Sequence, residues 1–405
     1  MKVLQINCVF NEGSTGKIVC DLHTQLQNNG HESIVCYGRG RRVNQSNIYK
    51  VALNSYAKAQ KLSSMITGIM YGGCLLSTMQ LKRIIAREKP DICHIHCING
   101  NFVNIYSLIT WLKENRIKTV LTLHAEFMFT GNCGHAFECD KWKHGCGDCQ
   151  NVKQSTKSLF LDNTHASWEL MRRAFEGFNT DLRVVSVSPW LMERARQSPI
   201  LANKHHRVVL NGINTEVFNR KITDDSIIPR DLRDKKIIFH ATPFFSGEKE
   251  HIKGGYYLIE LAKKLMNNKD IAIVVAGAYD RAVSVPSNIT LLGKITDQSQ
   301  LAQWYAMSNL TAIVSKRETF SMIVAESMCC GTPVVGFRSG APEQIAIHDY
   351  SRFVEFGDVD HLAECVINML DARIDRDMLS HISAEKYSKN RMFDDYMEIY
   401  GDLIC

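Results

Sequence analysis

The sequence predicts an α/β protein built of two doubly wound domains, each with a parallel sheet between layers of helices. Two observations lead to this prediction. Apolar strand-like segments alternate with helical patterns through the first half, at residues 3–10, 33–37, 92–97, 119–123 and 184–187. The alternation stops after residue 218 and restarts at residue 236, which indicates a second domain of the same architecture.

The elements follow in a regular order. In the first half, a strand at residues 3–10 leads through a glycine-containing loop at residues 11–16 into a helix at residues 17–29, which ends before Gly30. In the second half we predict strands at 237–241, 271–276, 289–292 and 310–314, and helices at 254–267 and 298–307. The predicted domains are therefore residues 1–218 and 219–390, followed by a C-terminal helix within residues 391–405.

Composition narrows the class of protein. A chain of 405 residues with 45% hydrophobic and 22% charged residues is long and apolar enough for two globular domains. The net charge of +6 is modest, and no RNA-binding or helix-turn-helix signature is present, so we expect no nucleic-acid partner. The first residues lack the long apolar region of a signal peptide, which favours a cytoplasmic protein with reduced thiols.

Residues 310–336 predict a strand, a short helix and a second strand. Glu318 follows the first strand, Ser321 can cap the helix, and Glu326 lies on it, about two turns along. Gly331 can close the helix, and Pro333 opens the next β-branched run. Two acids at this spacing are, taken alone, more often a solvated helix face.

The position of this strand–helix segment predicts a function for the two carboxylates. In open α/β sheets, ligands bind beyond the carboxyl ends of the strands, where a helix N-terminus offers N–H groups to phosphate. A diphosphate would lie near Ser321 and Met322, with Glu318 reaching one side of it and Glu326 the other. This arrangement predicts a sugar nucleotide held across its diphosphate.

The same residues carry a family resemblance. Glu318-x7-Glu326 followed by Cys-Gly-Thr-Pro-Val-Val resembles the donor-site signature of retaining GT-B glycosyltransferases of family 4. Asn211-Gly-Ile-Asn resembles the Asn-Gly-Ile-Asp that precedes the interdomain linker in that family. The resemblance implies two Rossmann-like domains facing across a cleft, a nucleotide-diphosphate sugar as donor, and no cofactor required for catalysis. It also implies that the helix in residues 391–405 crosses back to the first domain.

The resemblance assigns roles to individual residues. Lys253 matches a family lysine that neutralises the diphosphate, while a second basic position of the family is occupied here by Gly247, which leaves Lys249 as a further candidate. His124, at the end of a strand, would hydrogen-bond the sugar or orient the acceptor. The catalytic set is His124, Lys253 and Glu318; the donor-binding set is Gly13, Gly16, Lys253, Glu318, Thr319, Phe320, Ser321, Met322 and Glu326. The plainer explanations are an ordinary turn at residues 11–16, a solvent-exposed lysine and a structural histidine.

A cysteine-rich insert occupies residues 131–150. Its pattern is C-x5-C-x6-C-x2-C, formed by Cys133, Cys139, Cys146 and Cys149. In a reducing compartment this pattern suits a structural Zn site, with two disulfides or free buried thiols as the alternatives. The stretch resembles a family 4 subfamily that builds colanic acid and O-antigen polysaccharides. Ala125 replaces an Asp of that subfamily, so either Glu126 supplies the carboxylate or the acceptor preference differs.

Residues 62–81 carry no charge and are long enough to consider as a membrane span. Three glycines and several Ser and Thr residues make them only moderately apolar, so a buried or interfacial helical segment is the favoured interpretation. Basic residues flank the segment: Lys58, Lys61, Lys82, Arg83 and Arg87. We therefore expect peripheral binding to the inner face of the cytoplasmic membrane.

Together these features predict a retaining hexosyltransferase. It would move a hexose from a nucleotide-diphosphate sugar to a lipid-linked oligosaccharide in the synthesis of bacterial O-antigen or exopolysaccharide. Two alternatives remain at this point: a GT-B nucleotide-sugar epimerase or hydrolase, and a catalytically silent scaffold of a polysaccharide assembly complex.

Overall fold

The computed structural model describes residues 1–221 and 227–405, which divide into two compact units. Unit 1 comprises Met1–Leu210 and Met392–Cys405, and unit 2 comprises Asn211–Arg391. Unit 2 begins before the predicted boundary at residue 218. The reason is local pairing, because the Ile213 N–H donates to the Tyr387 carbonyl (2.7 Å) and Ile213 forms a bridge with Ser388.

Unit 1 is a parallel sheet covered by helices. Its strands are β1 (Lys2–Asn7), β2 (Glu32–Tyr37), β3 (Ile48–Lys50), β4 (Ile92–Ile95), β5 (Thr119–Leu123), β6 (Leu182–Ser186) and β7 (His205–Val208), in the order β3-β2-β1-β4-β5-β6-β7. Its helices are α1 (Gly13–Asn28), α2 (Asn54–Thr67), α3 (Leu75–Glu88), α4 (Ile105–Glu114), α5 (Val152–Ser155), α6 (Thr164–Phe175) and α7 (Pro189–Gln197). All strand pairings in this sheet are parallel.

The central strands of unit 1 are buried on both faces. Val3, Leu4 and Ile6 of β1 are fully buried, as is every residue of β4 and β5. Strands of a parallel sheet that is covered on both sides are continuous apolar runs, which is why the sequence predicted them. The edge strand β7 was not predicted, because it reads His-His-Arg-Val and its residues are only partly buried.

The C-terminal helix α14 (Lys389–Ile404) belongs to unit 1 from Met392 onward. Its tyrosines join a buried polar network with side chains of β4 and β5. The Tyr400 hydroxyl lies 2.6 Å from His94 Nδ1, and His94 Nε2 lies 2.8 Å from Thr122 Oγ1. Thr122 Oγ1 in turn lies 2.9 Å from the Tyr396 hydroxyl. These hydrogen bonds join α14 to β4 and β5.

The uncharged segment at residues 62–81 is divided between two helices. α2 ends at Thr67, Gly68 adopts a left-handed conformation (φ 69°), and α3 begins at Leu75. None of the described helices is long and apolar enough to cross a membrane. Residues 62–81 do not form one continuous helix, because the glycine at the C-cap position 68 ends α2.

Unit 2 repeats the architecture with a second parallel sheet. Its strands are β8 (Lys236–Phe245), β9 (Ile271–Tyr279), β10 (Ile289–Gly293), β11 (Leu310–Ile313), β12 (Val334–Phe337) and β13 (Ser351–Val354), in the order β10-β9-β8-β11-β12-β13. Its helices are α8 (Gly255–Leu265), α9 (Gln298–Met307), α10 (Met322–Cys329), α11 (Pro342–Ile345), α12 (Val359–Asp371) and α13 (Arg376–Tyr387). The predicted α/β class with two Rossmann-like units is thus confirmed.

The histidines of unit 1 should make it sensitive to acid. Burial lowers the pKa of His94 and His96 well below the ordinary value and lowers that of His124 from 6.5 to about 4. The unfolded chain therefore binds protons more readily than the folded one, and stability falls as pH decreases from about 6.5 toward 4. Thermal unfolding followed by circular dichroism across this range should show a falling midpoint.

A matched pair of variants tests whether the buried histidines cause the acid sensitivity. His94→Gln should lower stability at neutral pH but lose less on acidification, because one buried titrating group is gone. His381→Gln, at an exposed position of α13, should keep the wild-type pH dependence. An equal pH dependence in all three proteins would contradict the assignment.

Candidate functional site

Two loops of unit 2 meet at the carboxyl ends of neighbouring strands. One loop, residues 246–254, connects β8 to α8, and the other, residues 314–321, connects β11 to α10. At Gly254 the backbone has φ +69°, and an added Cβ would lie 1.8 Å from the Val314 carbonyl oxygen. The Lys316 N–H donates to the Ile252 carbonyl (2.8 Å). Glycine at position 254 therefore lets the two loops pack in direct contact.

This contact brings together Lys253 and Glu318, two residues of the predicted catalytic set. Lys253 Nζ donates to Glu318 Oε1 at 2.8 Å, and both side chains are only partly exposed. The backbone around the carboxylate is fixed as well, because the Glu318 N–H donates to Ser339 O (2.9 Å) and the Ala341 N–H donates to Glu318 O (3.1 Å). The ammonium group is thereby held where an arriving diphosphate would compete with Glu318 for it.

Three buried polar atoms around this pair have no hydrogen-bond partner within the described residues: His240 Nε2, Ser321 Oγ and Ser339 Oγ. Orphaned polar atoms of this kind are rare in folded proteins, since each carries a desolvation cost. Three such atoms beside the Lys253–Glu318 pair would suit a polar ligand that satisfies them.

His240 has a defined chemical state. Its Nδ1 lies 2.9 Å from the Ala312 carbonyl oxygen, so Nδ1 carries the proton. Burial lowers the pKa of His240 from 6.5 to about 4, and the charges of Lys253 and Glu318 act on it with opposite signs. The neutral ring therefore presents Nε2 as an acceptor, which suits a hydroxyl donor such as a sugar. The sequence predicted His240 near the end of a strand at 237–241, with no role in the site; in the structure the strand continues to Phe245.

The start of α10 differs in one detail from the prediction. Ser321 occupies the N-cap position, but its φ is +81° and its side chain makes no capping hydrogen bond. The expectation that its side chain caps the helix is therefore wrong. Its left-handed backbone, which a serine rarely adopts, leaves the hydroxyl free for a ligand beside the first N–H groups of the helix at Met322. Thr319 is half-buried and Phe320 is buried.

Glu326 lies on α10, half-buried, beside a tyrosine that the sequence analysis missed. The Tyr305 hydroxyl donates to Glu326 Oε2 at 3.3 Å. Burial raises the pKa of Tyr305 well above its ordinary value, so this hydroxyl stays protonated and can only donate to the carboxylate. Gly331 closes the helix with φ +72°. Tyr305 could have been found from its position in the helix that precedes β11.

The remaining predicted residues, Gly13, Gly16 and His124, lie in unit 1. α1 already begins at Gly13, and a Cβ on Gly16 would meet Val9 Cγ2 at 3.1 Å, so Gly16 permits close packing of the helix on the preceding loop. His124 follows β5, with its Nε2 3.4 Å from His96 Nδ1. His96 Nε2 in turn lies 3.2 Å from Gln5 Oε1. The half-buried histidine predicted for the acceptor thus lies at the end of a chain of buried polar groups.

Glu126 does not provide the missing carboxylate of the subfamily pattern. It is fully buried, forms an ion pair with Arg194, and accepts a hydrogen bond from the Ala136 N–H (2.6 Å). The Arg194 guanidinium lies over the rings of Trp142 (5.0 Å) and Trp190 (5.1 Å). Glu126 therefore anchors the cysteine-rich insert instead of facing a ligand. The other interpretation, an acceptor preference unlike that of the relatives, stays a prediction.

The insert is organised around Trp142. The Trp142 indole N–H donates to the Cys139 carbonyl (2.7 Å), and the Trp168 indole N–H donates to the Trp142 carbonyl (2.8 Å). Cys133, Cys139, Cys146 and Cys149 are free thiols in the described structure. Within residues 1–221 and 227–405, no three His, Cys, Asp or Glu side chains are placed to hold a metal ion. The Zn site therefore stays a prediction.

Known family models match both halves of the chain. Residues 15–217, about half of the chain, match the family model described as Glycosyltransferase Family 4. Residues 241–372 match the model described as Glycosyl transferases group 1. The second match contains Lys253, Glu318 and Glu326.

Two relatives align over nearly the whole chain. N-acetyl-alpha-D-glucosaminyl L-malate synthase of Bacillus anthracis is 25% identical, covering 98% of this chain and 96% of that protein. The putative colanic acid biosynthesis glycosyl transferase WcaC of Escherichia coli (strain K12) is 22% identical, covering 100% of both.

Solved structures share the fold across the full length. Sucrose-phosphate synthase of Thermosynechococcus elongatus superimposes with a TM-score of 0.71 at 14% identity, covering 100% of this chain and 99% of that chain. Anabaena HepE in complex with UDP superimposes with a TM-score of 0.65 at 12% identity, covering 99% and 100%. At this identity the likeness concerns the fold alone.

The anchoring role of Glu126 can be tested by charge removal. Glu126→Gln leaves Arg194 largely buried without its counterion, so unfolding free energy should fall by about 3–5 kcal/mol. Urea unfolding monitored by tryptophan fluorescence measures the change. Asp140→Asn, in an exposed ion pair with Lys143 of the same insert, is the control and should be close to neutral. Equal stabilities of the two variants would rule out the anchor.

Proposed function

The chain belongs to glycosyltransferase family 4, and we propose that it is a retaining hexosyltransferase acting at the inner face of the cytoplasmic membrane. Its donor is a nucleotide-diphosphate sugar. Its acceptor is a lipid-linked oligosaccharide in the synthesis of a bacterial surface polysaccharide, O-antigen or exopolysaccharide. The observation that carries the proposal is the Lys253–Glu318 pair beside the orphaned atoms of His240, Ser321 and Ser339.

Each group of unit 2 has a role in donor binding. The diphosphate lies at the start of α10, where helix N–H groups and Lys253 meet its negative charge. Glu326, held by Tyr305, accepts hydrogen bonds from the ribose hydroxyls. Glu318 and the acceptor nitrogen of His240 receive hydroxyls of the sugar. Solved structures of Anabaena HepE contain UDP and UDP-glucose, which makes a uridine nucleotide the first donor to test.

For the chemical step we propose the same-face substitution that the family resemblance implies. The bond between the anomeric carbon and the β-phosphate oxygen breaks, and its electron pair stays on the phosphate. The acceptor oxygen attacks the same face of the sugar and passes its proton to the departing phosphate oxygen. Lys253 and the α10 N-terminus stabilise the charge that grows on the leaving group.

The acceptor class rests on WcaC and on a feature of unit 1. WcaC is named for colanic acid biosynthesis, whereas the Bacillus anthracis relative is named for a malate acceptor. A small soluble acid would need no apolar protein surface near it. Unit 1 exposes large apolar side chains on α2 and α3, including Leu62 and Leu76, which favours a lipid-linked acceptor.

The function is tested first by product analysis. Thermal-shift screening against UDP-, GDP- and ADP-sugars should identify one donor, and that donor should release its nucleoside diphosphate only when lipid-linked acceptor is added. Proton NMR of the product should show the anomeric configuration of the donor. Release of the nucleoside diphosphate without acceptor would indicate a hydrolase. Conversion of the free nucleotide sugar to another nucleotide sugar would indicate an epimerase, and the absence of any turnover would indicate a scaffold.

Lys253→Ala should slow turnover by about 10²–10³ in kcat, because it removes a fixed positive charge from the leaving group. Lys263→Ala, which removes an exposed lysine of α8 paired with Glu260, is the matched control and should retain wild-type kcat. Steady-state assays with saturating donor measure both. Wild-type kcat in Lys253→Ala would refute its role.

Glu326→Ala should weaken donor binding by about ten- to a hundredfold, the effect of losing hydrogen bonds to a charged group. Isothermal titration with the donor nucleotide measures the dissociation constant. Glu364→Ala, at an exposed position of α12, should bind like the wild type. If the two variants bind the nucleotide equally well, the ribose does not contact Glu326.

A further inference from the structure

Unit 1 exposes a group of large apolar side chains that no other described residue covers. Phe160 is 78% exposed, Leu76 66% and Leu62 55%. Side chains of this size are usually buried, and a contiguous exposed set marks an interaction surface. We call this surface the apolar tip, and it consists of Leu62, Ile66, Leu75, Leu76, Met79, Leu159, Phe160 and Leu161.

The three segments that form the apolar tip are held together by hydrogen bonds. The N–H of Cys74, just before α3, donates to Gln60 Oε1 of α2 (3.0 Å). The Leu159 N–H donates to the Met65 carbonyl (2.8 Å), and Asn163 Nδ2 donates to the Thr67 carbonyl (2.7 Å). The loop at residues 158–163 and the start of α3 therefore both lie against α2.

The charge around the apolar tip is predominantly positive, with the exposed Asp162 of the tip loop as an exception. Residues 33–87 contain no Asp or Glu, although the whole chain has 42 acidic residues in 405. The same 55 residues carry nine basic ones: Arg39, Arg41, Arg42, Lys50, Lys58, Lys61, Lys82, Arg83 and Arg87. Lys153 and Lys157 precede the loop of the tip, and residues 150–161 also lack an acid. The partner of this surface is therefore expected to be anionic.

Bases and apolar side chains are segregated along each helix. On α2, Lys58, Leu62 and Ile66 follow one another at intervals of four and share a face, with the apolar pair toward the end of the helix. On α3 the order is reversed, since Met79 comes before Arg83 on one face. Because α2 ends and α3 starts at the apolar tip, the exposed bases lie behind it on both helices.

We propose that the apolar tip docks unit 1 on an anionic lipid bilayer. The apolar side chains enter the boundary between headgroups and acyl chains, and the bases behind them contact the lipid phosphates. A second copy of the chain fits less well, because it would bring two predominantly basic surfaces together. The inference rests on the proposed function in that a lipid-linked acceptor is presented at such a surface.

Vesicle flotation of the full chain tests the proposal. The wild type should float with vesicles containing phosphatidylglycerol, bind phosphatidylcholine vesicles much more weakly, and dissociate as salt concentration rises. Phe160→Asp and Leu76→Asp should each weaken binding by about tenfold, as expected when one large apolar side chain is kept out of the bilayer. Lys58→Gln combined with Arg83→Gln should abolish the preference for anionic lipid.

Ile367→Asp is the matched control, since Ile367 is an exposed apolar residue on α12 of unit 2 (40% exposed). It should float like the wild type. Nucleotide-induced thermal shifts should be unchanged in all these variants, which shows that they are folded. Failure of the wild type to float, or equal binding by Phe160→Asp, would overturn the proposal.

Two further outcomes have distinct meanings. A wild-type dimer in light scattering that Phe160→Asp converts to monomer, without vesicle binding by either, would replace the bilayer by a second copy. Lys253→Ala should float normally while losing turnover. Loss of flotation with normal transfer to a water-soluble acceptor would therefore overturn the docking surface alone, whereas flotation without any transfer would overturn the function alone.

Discussion

The site in unit 2 depends on one close approach of backbone to backbone. Because position 254 carries no side chain, the loop after β8 packs on the end of β11, and Lys253 reaches Glu318. A Cβ there would collide with the Val314 carbonyl, so any other residue would push the loops apart. The same displacement would move Lys253 away from the start of α10. One hydrogen atom in place of a side chain thus permits the charge arrangement on which donor binding is proposed to depend.

The fold followed closely from the sequence, and the reason is physical. Parallel strands buried on both faces are continuous apolar runs, so β5 and α9 fall where they were predicted. The edge strand β7 lacks this signal because its residues are partly exposed. At the site, the family motif identified Glu318 and Glu326, which are consecutive in one segment. His240 and Tyr305 were missed because their roles arise from tertiary contacts that no local spacing records.

The residues around the cysteine-rich insert show how a buried ion pair can be mistaken for part of a functional site. Glu126 lies next to Ala125, where the subfamily carries an Asp, yet in the structure Glu126 neutralises Arg194, whose guanidinium lies over two indole rings. A buried charge of this kind is tolerated only with its partner in place. The insert is therefore attached to α6 and α7 of unit 1 by the Trp168–Trp142 hydrogen bond and by the contact of Arg194 with Trp142. These contacts do not involve the thiols of the insert.

The polar network between α14 and the strands of unit 1 has a consequence for how the protein is made. Unit 1 contains residues from both sides of unit 2 in the chain, since Met392–Cys405 belongs to it. While the ribosome is still adding unit 2, His94 and Thr122 lack the tyrosines that satisfy them. The side chains of His94 and Thr122 therefore gain these hydrogen bonds only after Tyr396 and Tyr400 have left the exit tunnel. Unit 2 is continuous in sequence and can finish folding first, which reverses the usual N-to-C order of domain maturation during synthesis.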